Sequence, residues 1–294
     1  MNCVLTTTDL QKSYRGKLAL KNCSIDVPAG SVVALVGPNG AGKTTLLDII
    51  AGLLLPTSGE VRLFENVIPG SLESLQRVSF VAQNSPLYKN MAVIDAVRLT
   101  NSLNVMFDRE YALTRLQKLQ IPLKRRIGKL SGGQQAQVAL TLAMARRSDL
   151  LLLDEPLSSL DSLARQQFLS ELMTSVATTS MSVIFSSHSI YELEKVCDYL
   201  ILIVGGEVQL CDSLDQIIES HRMIACAPGE LDDYSDIEII ERKLGTRFST
   251  HLIRVKNLLS HSALESHPST LENIVLAYLR RAQEVEALDA SVKL

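Results

Sequence analysis

The stretch Gly37-Pro38-Asn39-Gly40-Ala41-Gly42-Lys43-Thr44 carries the plainest chemistry in this sequence. Glycines at this spacing let successive backbone N–H groups turn inward around an anion. Lys43 suits the charge of β- and γ-phosphates, and the Thr44 hydroxyl suits Mg2+; Thr45 follows in the same turn. The flanking residues fit this chemistry. "SVVALVG", residues 31–37, is a near-continuous apolar run of the kind buried on both faces of a parallel sheet. "KTTLLDIIAGLL" then repeats its apolar positions at helical spacing. In that order, strand–loop–helix, the positive end of the helix points at the phosphates.

Two further stretches extend the site. In "LLLLDEP", Leu150–Leu153 read as a buried strand with Asp154 and Glu155 at its C-terminal end, the end that faces ligands in doubly wound sheets. Asp154 is expected to hold Mg2+ through water, and Glu155 to polarise an attacking water. "LSGGQ", Leu130–Gln134, is a second glycine-rich loop. Ser131 offers a hydroxyl, and Gly132, Gly133 and Gln134 offer N–H groups, toward a γ-phosphate. From a separate subdomain this loop is expected to reach a nucleotide held by a second copy. Two copies, head to tail, would each bury a nucleotide between one lysine loop and the other's LSGGQ, so that dimerisation becomes the switch.

The elements that must position these groups read as an α/β sheet. "NCVLTTTDLQKSY" and "LALKNCSIDVPAG" are expected strands at the N-terminus. "EVRLF", "RVSFVAQ", "DLLLLDEP", "SVIFSSH" and "DYLILIVGGEVQL" are expected strands further along. Between about 84 and 145 the character changes: "MAVIDAVRLTNSLN" and "REYALTRLQKLQ" read as amphipathic helices in an inserted helical subdomain. The chain is divided at 212, with 213–294 as an accessory tail ending in the helical stretch "TLENIVLAYLRRAQEVEAL". There, Leu271, Ile274, Val275, Tyr278 and Leu279 make one apolar stripe. It is expected to pack on the chain's own tail or on a second copy. Nothing in the tail supplies phosphate or metal chemistry, so removal of Ser220–Leu294 is expected to leave nucleotide binding largely intact.

The bulk properties narrow the classes. With 294 residues and a net charge of -3, the chain shows no basic stripe, and nucleic acid is not an expected partner. Lys124-Arg125-Arg126 reads as a solvated turn. The five cysteines have no CxxC pairing, which fits a reducing compartment and neither a disulfide frame nor a zinc site. No apolar run reaches the ~20 residues that span a bilayer, and the N-terminus is unlike a signal peptide. A soluble chain is expected, acting at a membrane through another protein.

With both loops in view, the chain resembles the nucleotide-binding subunit of an ABC transporter over about residues 3–212, "LSGGQ" being that family's signature. The resemblance implies a P-loop NTPase (RecA-like) core sheet with an N-terminal antiparallel β-subdomain, an inserted helical subdomain and a small C-terminal α+β tail. It implies ATP and Mg2+ as cofactors, and ATP hydrolysis with Lys43, Gln83, Glu155 and His188 as catalytic residues. Tyr14 matches the aromatic that stacks on adenine, or is a plain strand aromatic. Gln83 matches the glutamine that contacts Mg2+ and water, or is a strand-end amide. Asp161, in "SSLD", matches the aspartate that crosses the dimer seam, or is a helix N-cap. His188, in "FSSH", matches the histidine that touches the γ-phosphate, or is an ordinary strand-end histidine. Gln137 stands where the family commonly has arginine, which removes a charge beside the signature and bears on rate or dimer affinity.

"NSPLYKNMAVIDAV" and "PSTLENIVLAYL" resemble subunits of type-2 exporters of multidrug, antibiotic, polysaccharide or peptide cargo. The implied partners are a transmembrane permease subunit and a second ATP-binding subunit, in a homodimer or a paralogous heterodimer. The implied location is cytoplasmic, peripheral on the inner face of the cell membrane. Importer subunits commonly end in a small β-barrel, for which the tail has too few strand signals. An importer subunit and a soluble regulatory ATPase are the alternatives.

Overall fold

The computed structural model describes residues 2–83, 87–187, 194–226, 237–243, 245, 249–255 and 266–292. The chain opens with β1 (Cys3–Tyr14), β2 (Lys17–Pro28), β3 (Val32–Val36), α1 (Lys43–Ile50), β4 (Ser58–Leu63), α2 (Leu72–Arg77) and β5 (Val78–Val81). The helices α3 (Val93–Leu103), α4 (Arg109–Lys118) and α5 (Gly132–Ala145) follow without an intervening strand. Next come β6 (Leu150–Leu153), α6 (Ser162–Thr179), β7 (Ser182–Ser187), β8 (Tyr199–Val204) and β9 (Glu207–Ser213). The tail holds α7 (Leu214–Ser220), β10 (His221–Cys226), β11 (Ile237–Lys243), β12 (Ser249–Val255), β13 (Ser266–Pro268) and α8 (Leu271–Val292).

The central sheet has six strands in the order β5-β6-β7-β3-β8-β9. The pairs from β5 through β8 are parallel, and only β9 runs antiparallel. Every residue of β3, β6 and β7 is buried, as near-continuous apolar runs require. The alternation of side chains sorts them into two cores. Val33 and Leu35 face α1 and the antiparallel sheet β2-β1-β4, while Val32, Ala34 and Val36 face α5, α6 and α8. The helical insert has its own core, in which Val93 and Val97 of α3 meet Leu116 of α4 and Val138 of α5. Since Ala136, Ala139 and Leu140 of α5 face the main core, that helix is shared by both units.

One sequence expectation changes and two become specific. "DYLILIVGGEVQL" is a hairpin of β8 and β9, because Gly205 and Gly206 take the left-handed φ values of 58 and 84 that a tight reversal needs. The tail contains a four-stranded antiparallel sheet, β11-β12-β10-β13, beside its helices, in keeping with the expected small α+β tail. Among the described residues it is an open sheet, with β11 and β13 at its edges. Finally, the stripe on α8 is buried within its own chain. Leu271, Ile274, Val275 and Tyr278 belong to the same cluster as Val36, Leu202 and Val204. Buried His221 anchors this helix, its Nε2 lying 3.1 Å from the Tyr278 hydroxyl and its Nδ1 2.7 Å from the Ile217 carbonyl. α8 also carries two ion pairs to β11, Arg280–Glu241 and Arg281–Glu238, each 2.7 Å long.

Candidate functional site

Parallel strands end at one edge of a sheet, and register decides which residues meet there. Val36 pairs with Ser187, Leu153 with Phe185, and Val81 with Leu153. The segments leaving β3, β6 and β5 at this edge are the phosphate loop, Asp154-Glu155 and the Gln83 segment. This is the crevice outside the carboxyl ends of the strands, where doubly wound sheets bind ligands. His188, the residue after β7, lies outside the described residues.

The loop glycines are fixed by space as well as by φ. A Cβ on Gly37 would lie 2.1 Å from the Ile203 carbonyl oxygen. On Gly42, whose φ is 108, it would lie 2.6 Å from the Ala19 carbonyl oxygen. Gly40 is also left-handed, with φ 80. Pro38, Asn39 and Gly40 are exposed, whereas Ala41 is buried beneath them. Lys43 opens α1 and is buried; its ammonium donates to the carbonyls of Gly37 at 2.7 Å and Pro38 at 3.1 Å. Burial pulls its pKa below the ordinary lysine value, and the nearby carboxylates of Glu155 and Asp154 oppose that shift. The ammonium thus sits where an anion can meet it partly desolvated, which strengthens the attraction. Thr45 is half-buried in the first turn of α1.

The Thr44 hydroxyl donates to Asp154 Oδ2 at 2.8 Å. This contact joins residues 110 positions apart and ties the phosphate loop to the acidic strand end. Asp154 is 1% exposed, and its Oδ1 accepts from the Ser186 hydroxyl at 2.6 Å. Ser186 also accepts the backbone N–H of Glu155 at 2.8 Å. Glu155 adopts a left-handed φ of 49, a strained state for a residue with a Cβ, and its neighbours hold it there. Nothing in the sequence reading singled out Ser186. The available signal was a small polar pair, Ser186-Ser187, closing an otherwise apolar strand. The donor set fits Mg2+: one hydroxyl and one carboxylate, all hard oxygen, leave positions for phosphates and water. Thr44 and Asp154 would hold that ion, and its chemistry would be to neutralise phosphate charge. Asp48, one turn along α1 from Thr44, has its carboxyl pKa raised by burial and further by the charge of Asp154.

The second glycine loop has a local reason for its form. Ser131 is the N-cap of α5: its hydroxyl accepts the N–H of Gln134, and the Gln134 side chain accepts the N–H of Ser131, both at 3.2 Å. That reciprocal capping box explains why a serine and a glutamine sit three apart at a helix start. Gly132 is exposed with open space about it, and a Cβ on Gly133 would lie 3.2 Å from the Ser159 carbonyl oxygen. Gly133 therefore lets α5 approach the segment that precedes Asp161. Asp161 is the N-cap of α6 and accepts from Ala164 N at 2.9 Å, so the capping alternative describes it within one chain.

Tyr14 ends β1 with its ring 46% exposed, and Lys12 Nζ lies 5.3 Å from the ring centroid. An exposed ring is free to take a base on its face. Tyr14→Ala is expected to weaken ATP binding by about 1–3 kcal/mol, by analogy with aromatic–base stacking. Inorganic triphosphate should bind as before. Titration of both ligands checks this, and equal weakening would leave Tyr14 a purely structural role.

Comparison with known proteins gives one pattern. A family model described as "ABC transporter" matches residues 20–158, and an AAA-domain model matches residues 123–194. The lantibiotic transport ATP-binding protein SrtF of Streptococcus pyogenes is 32% identical over 208 residues, covering 70% of this chain and 90% of SrtF. The sulfate/thiosulfate import ATP-binding protein CysA of Escherichia coli (strain K12) is 32% identical over 218 residues, covering 71% of this chain and 60% of CysA. Among solved structures, the dimeric bacterial ABC transporter cassette MJ0796 superposes with a TM-score of 0.65 at 26% identity, covering 71% of this chain and 98% of the cassette. All three similarities leave more than a quarter of this chain unmatched.

Proposed function

We propose, from the premise that this chain belongs to the ABC transporter ATP-binding proteins, that it binds and hydrolyses ATP to drive export of a substrate through a separate membrane subunit. The observation that carries the ATPase reading is the Thr44–Asp154 hydrogen bond, which brings a phosphate loop and an acidic strand end into one site. In this reading Lys43 and the loop N–H groups of residues 37–45 bind the phosphates, and Thr44, Asp154 and Gln83 face the Mg2+ side. Glu155 takes a proton from the attacking water, and His188 assists at the γ-phosphate. Ser131, Gly132, Gly133, Gln134 and Asp161 act on the nucleotide of a second copy. The dimeric solved cassette supports a two-copy assembly by analogy. Phosphate release by the purified chain with Mg·ATP tests it, and activity per chain should rise with protein concentration. Flat activity per chain from dilute to concentrated protein would sink the composite site.

Export is favoured over import by two observations. The alignment with SrtF, a lantibiotic transport protein, spans 90% of that protein, and the described strands of the tail form an open four-stranded sheet. The similarity to CysA keeps import as the second reading. Among the described residues no helix is long and apolar enough to cross a membrane. In this reading the path for the substrate belongs to a partner, with this chain on the ATP side of the bilayer. Inside-out vesicles carrying chain and permease separate the directions: export predicts accumulation of cargo when ATP is supplied outside, import predicts loss.

The partner's docking surface is expected beside Gln83. A cavity of about 310 Å³ there is lined by Leu53, Val81, Ala82, Leu87, Thr100 and Leu142, among others. Near it, Tyr88 is 73% exposed, whereas Leu87 and Met91 are half-buried in the cores. Exposed Leu53 borders the same cavity. A short helix from a membrane subunit fits such a groove. Tyr88→Glu with Leu53→Glu is expected to abolish transport and leave basal ATPase activity unchanged. Normal transport by this double variant would remove the docking surface from the scheme.

A further inference from the structure

The charge that Gln137 withdraws from the signature helix is supplied from another element. Arg115 of α4 is 2% exposed, and its guanidinium reaches across to α5. Nε donates to the Thr141 hydroxyl at 3.0 Å, and Nη2 donates to the Gln137 side-chain oxygen at 3.1 Å. Thr141 in turn donates to the Gln137 carbonyl at 2.7 Å, so both acceptors belong to one helical turn of α5. On its other side the guanidinium forms an ion pair with Glu171 of α6. Gln137 and Thr141 are buried, and Glu171 is one-third exposed at the wall of the cleft between α4 and α6. A planar guanidinium with five donors suits such a three-way junction, since it meets separate acceptors in fixed directions.

We propose that Arg115 is a positioning residue for ATP turnover, locking the helix that begins at Ser131 to the helix that begins at Asp161. The inference rests on the composite-site reading above. α5 carries Ser131–Gln134 at its N-terminus, and α6 carries Asp161 at its own. Both ends must meet a second copy together if the two sites are to close. Arg115 lies between the two helices, meeting α5 at Gln137 and Thr141 and α6 at Glu171, nearly three turns along from Asp161, and none of these partners belongs to the phosphate loop. Loss of the tie should therefore slow closure and turnover without weakening the hold on ATP in the open subunit.

The test is steady-state ATPase kinetics on the full chain with Arg115→Leu, Glu171→Gln and the transposed double variant Arg115→Gln/Gln137→Arg. Arg115→Leu is expected to lower kcat about tenfold while KM for ATP stays within about twofold, the split that marks an interaction used in turnover rather than in binding. Glu171→Gln, which keeps the shape, should move kcat in the same direction. The transposed variant returns a guanidinium to the same buried space from α5 and should recover most of the lost kcat. If Arg115→Leu does not fold, Glu171→Gln and the transposed variant carry the decision. Wild-type kcat in Glu171→Gln, or a rise in KM that accounts for the whole loss, overturns the proposal. A wild-type chain without ATPase activity would instead overturn the functional reading beneath it.

Discussion

Glu155→Gln is expected to bind ATP, to hydrolyse it about 10²–10⁴-fold more slowly, as loss of a general base does, and to accumulate as a dimer with Mg·ATP. The substitution changes one carboxylate oxygen to an amide and preserves volume. The backbone at Glu155 is held from outside its side chain: Ser186 takes its N–H, and its carbonyl accepts the Ser158 hydroxyl at 2.8 Å. The left-handed turn should therefore survive. Lys43, Thr44 and Asp154 are untouched, so affinity for ATP should hold. What is lost is the capacity to take a proton from water. With hydrolysis blocked, ATP stays between the two copies and the dimer does not open. Size-exclusion chromatography with and without Mg·ATP, beside a phosphate-release assay, reads both effects. A variant that stays monomeric at high concentration with wild-type turnover would show that Glu155 is not the base and that ATP does not hold the dimer.

Removal of Ser220–Leu294 is expected to unfold the nucleotide domain, contrary to the sequence-based expectation that this segment is dispensable for binding. Four large side chains of α8, Leu271, Ile274, Val275 and Tyr278, are buried in the main core. Each such burial contributes about 1.5–3 kcal/mol, an upper estimate because unfolded chains already bury part of their surface. Their sum is comparable with the ~5–15 kcal/mol by which whole domains are stable. Removal would also uncover Val36 and Val204, at the strand ends that lead into the site. The coupling reaches the loop itself: Leu279, Ala282 and Gln283 share a cavity of about 230 Å³ with Pro38, Asn39, Gly40 and Ala41. Ile274→Ala grades the effect, since large-to-small changes in a packed core cost about 2–5 kcal/mol. Thermal unfolding of the full chain, the point variant and the truncation provides the measurement. A truncated chain that melts cooperatively at the full-length temperature and binds ATP equally well would return the tail to an independent role.

The parts of the site that were legible in the sequence are those set by contacts a few residues apart. A run of apolar residues, glycines at fixed offsets, then a lysine and a helical period are local constraints, and Val32–Val36, the loop and α1 follow from them. The apolar insert helices were legible for the same reason. The mixed α+β character of the tail was legible, but its individual strands were not, because β10 and β12 alternate irregularly in burial and are held by pairing with strands distant in the chain. The serine–glutamine pair of "LSGGQ" is likewise local, a capping box as much as a ligand loop.

Tertiary structure alone decided the rest. The meeting of Thr44 with Asp154, and of Ser186 with both Asp154 and the Glu155 N–H, depends on the sheet register that aligns β3, β7 and β6. Whether the stripe on α8 closes on its own chain or on another copy is invisible to periodicity, which gives a face but not its partner. The apparent loss of charge at Gln137 had the same origin. A sequence shows which residue is missing from one helix, but only packing shows that Arg115, from another helix, occupies the space beside it. The sequence determined the local chemistry, since bond geometry and side-chain spacing act over a few residues. The fold decided which of those chemistries share a site, because that depends on contacts between residues far apart in the chain.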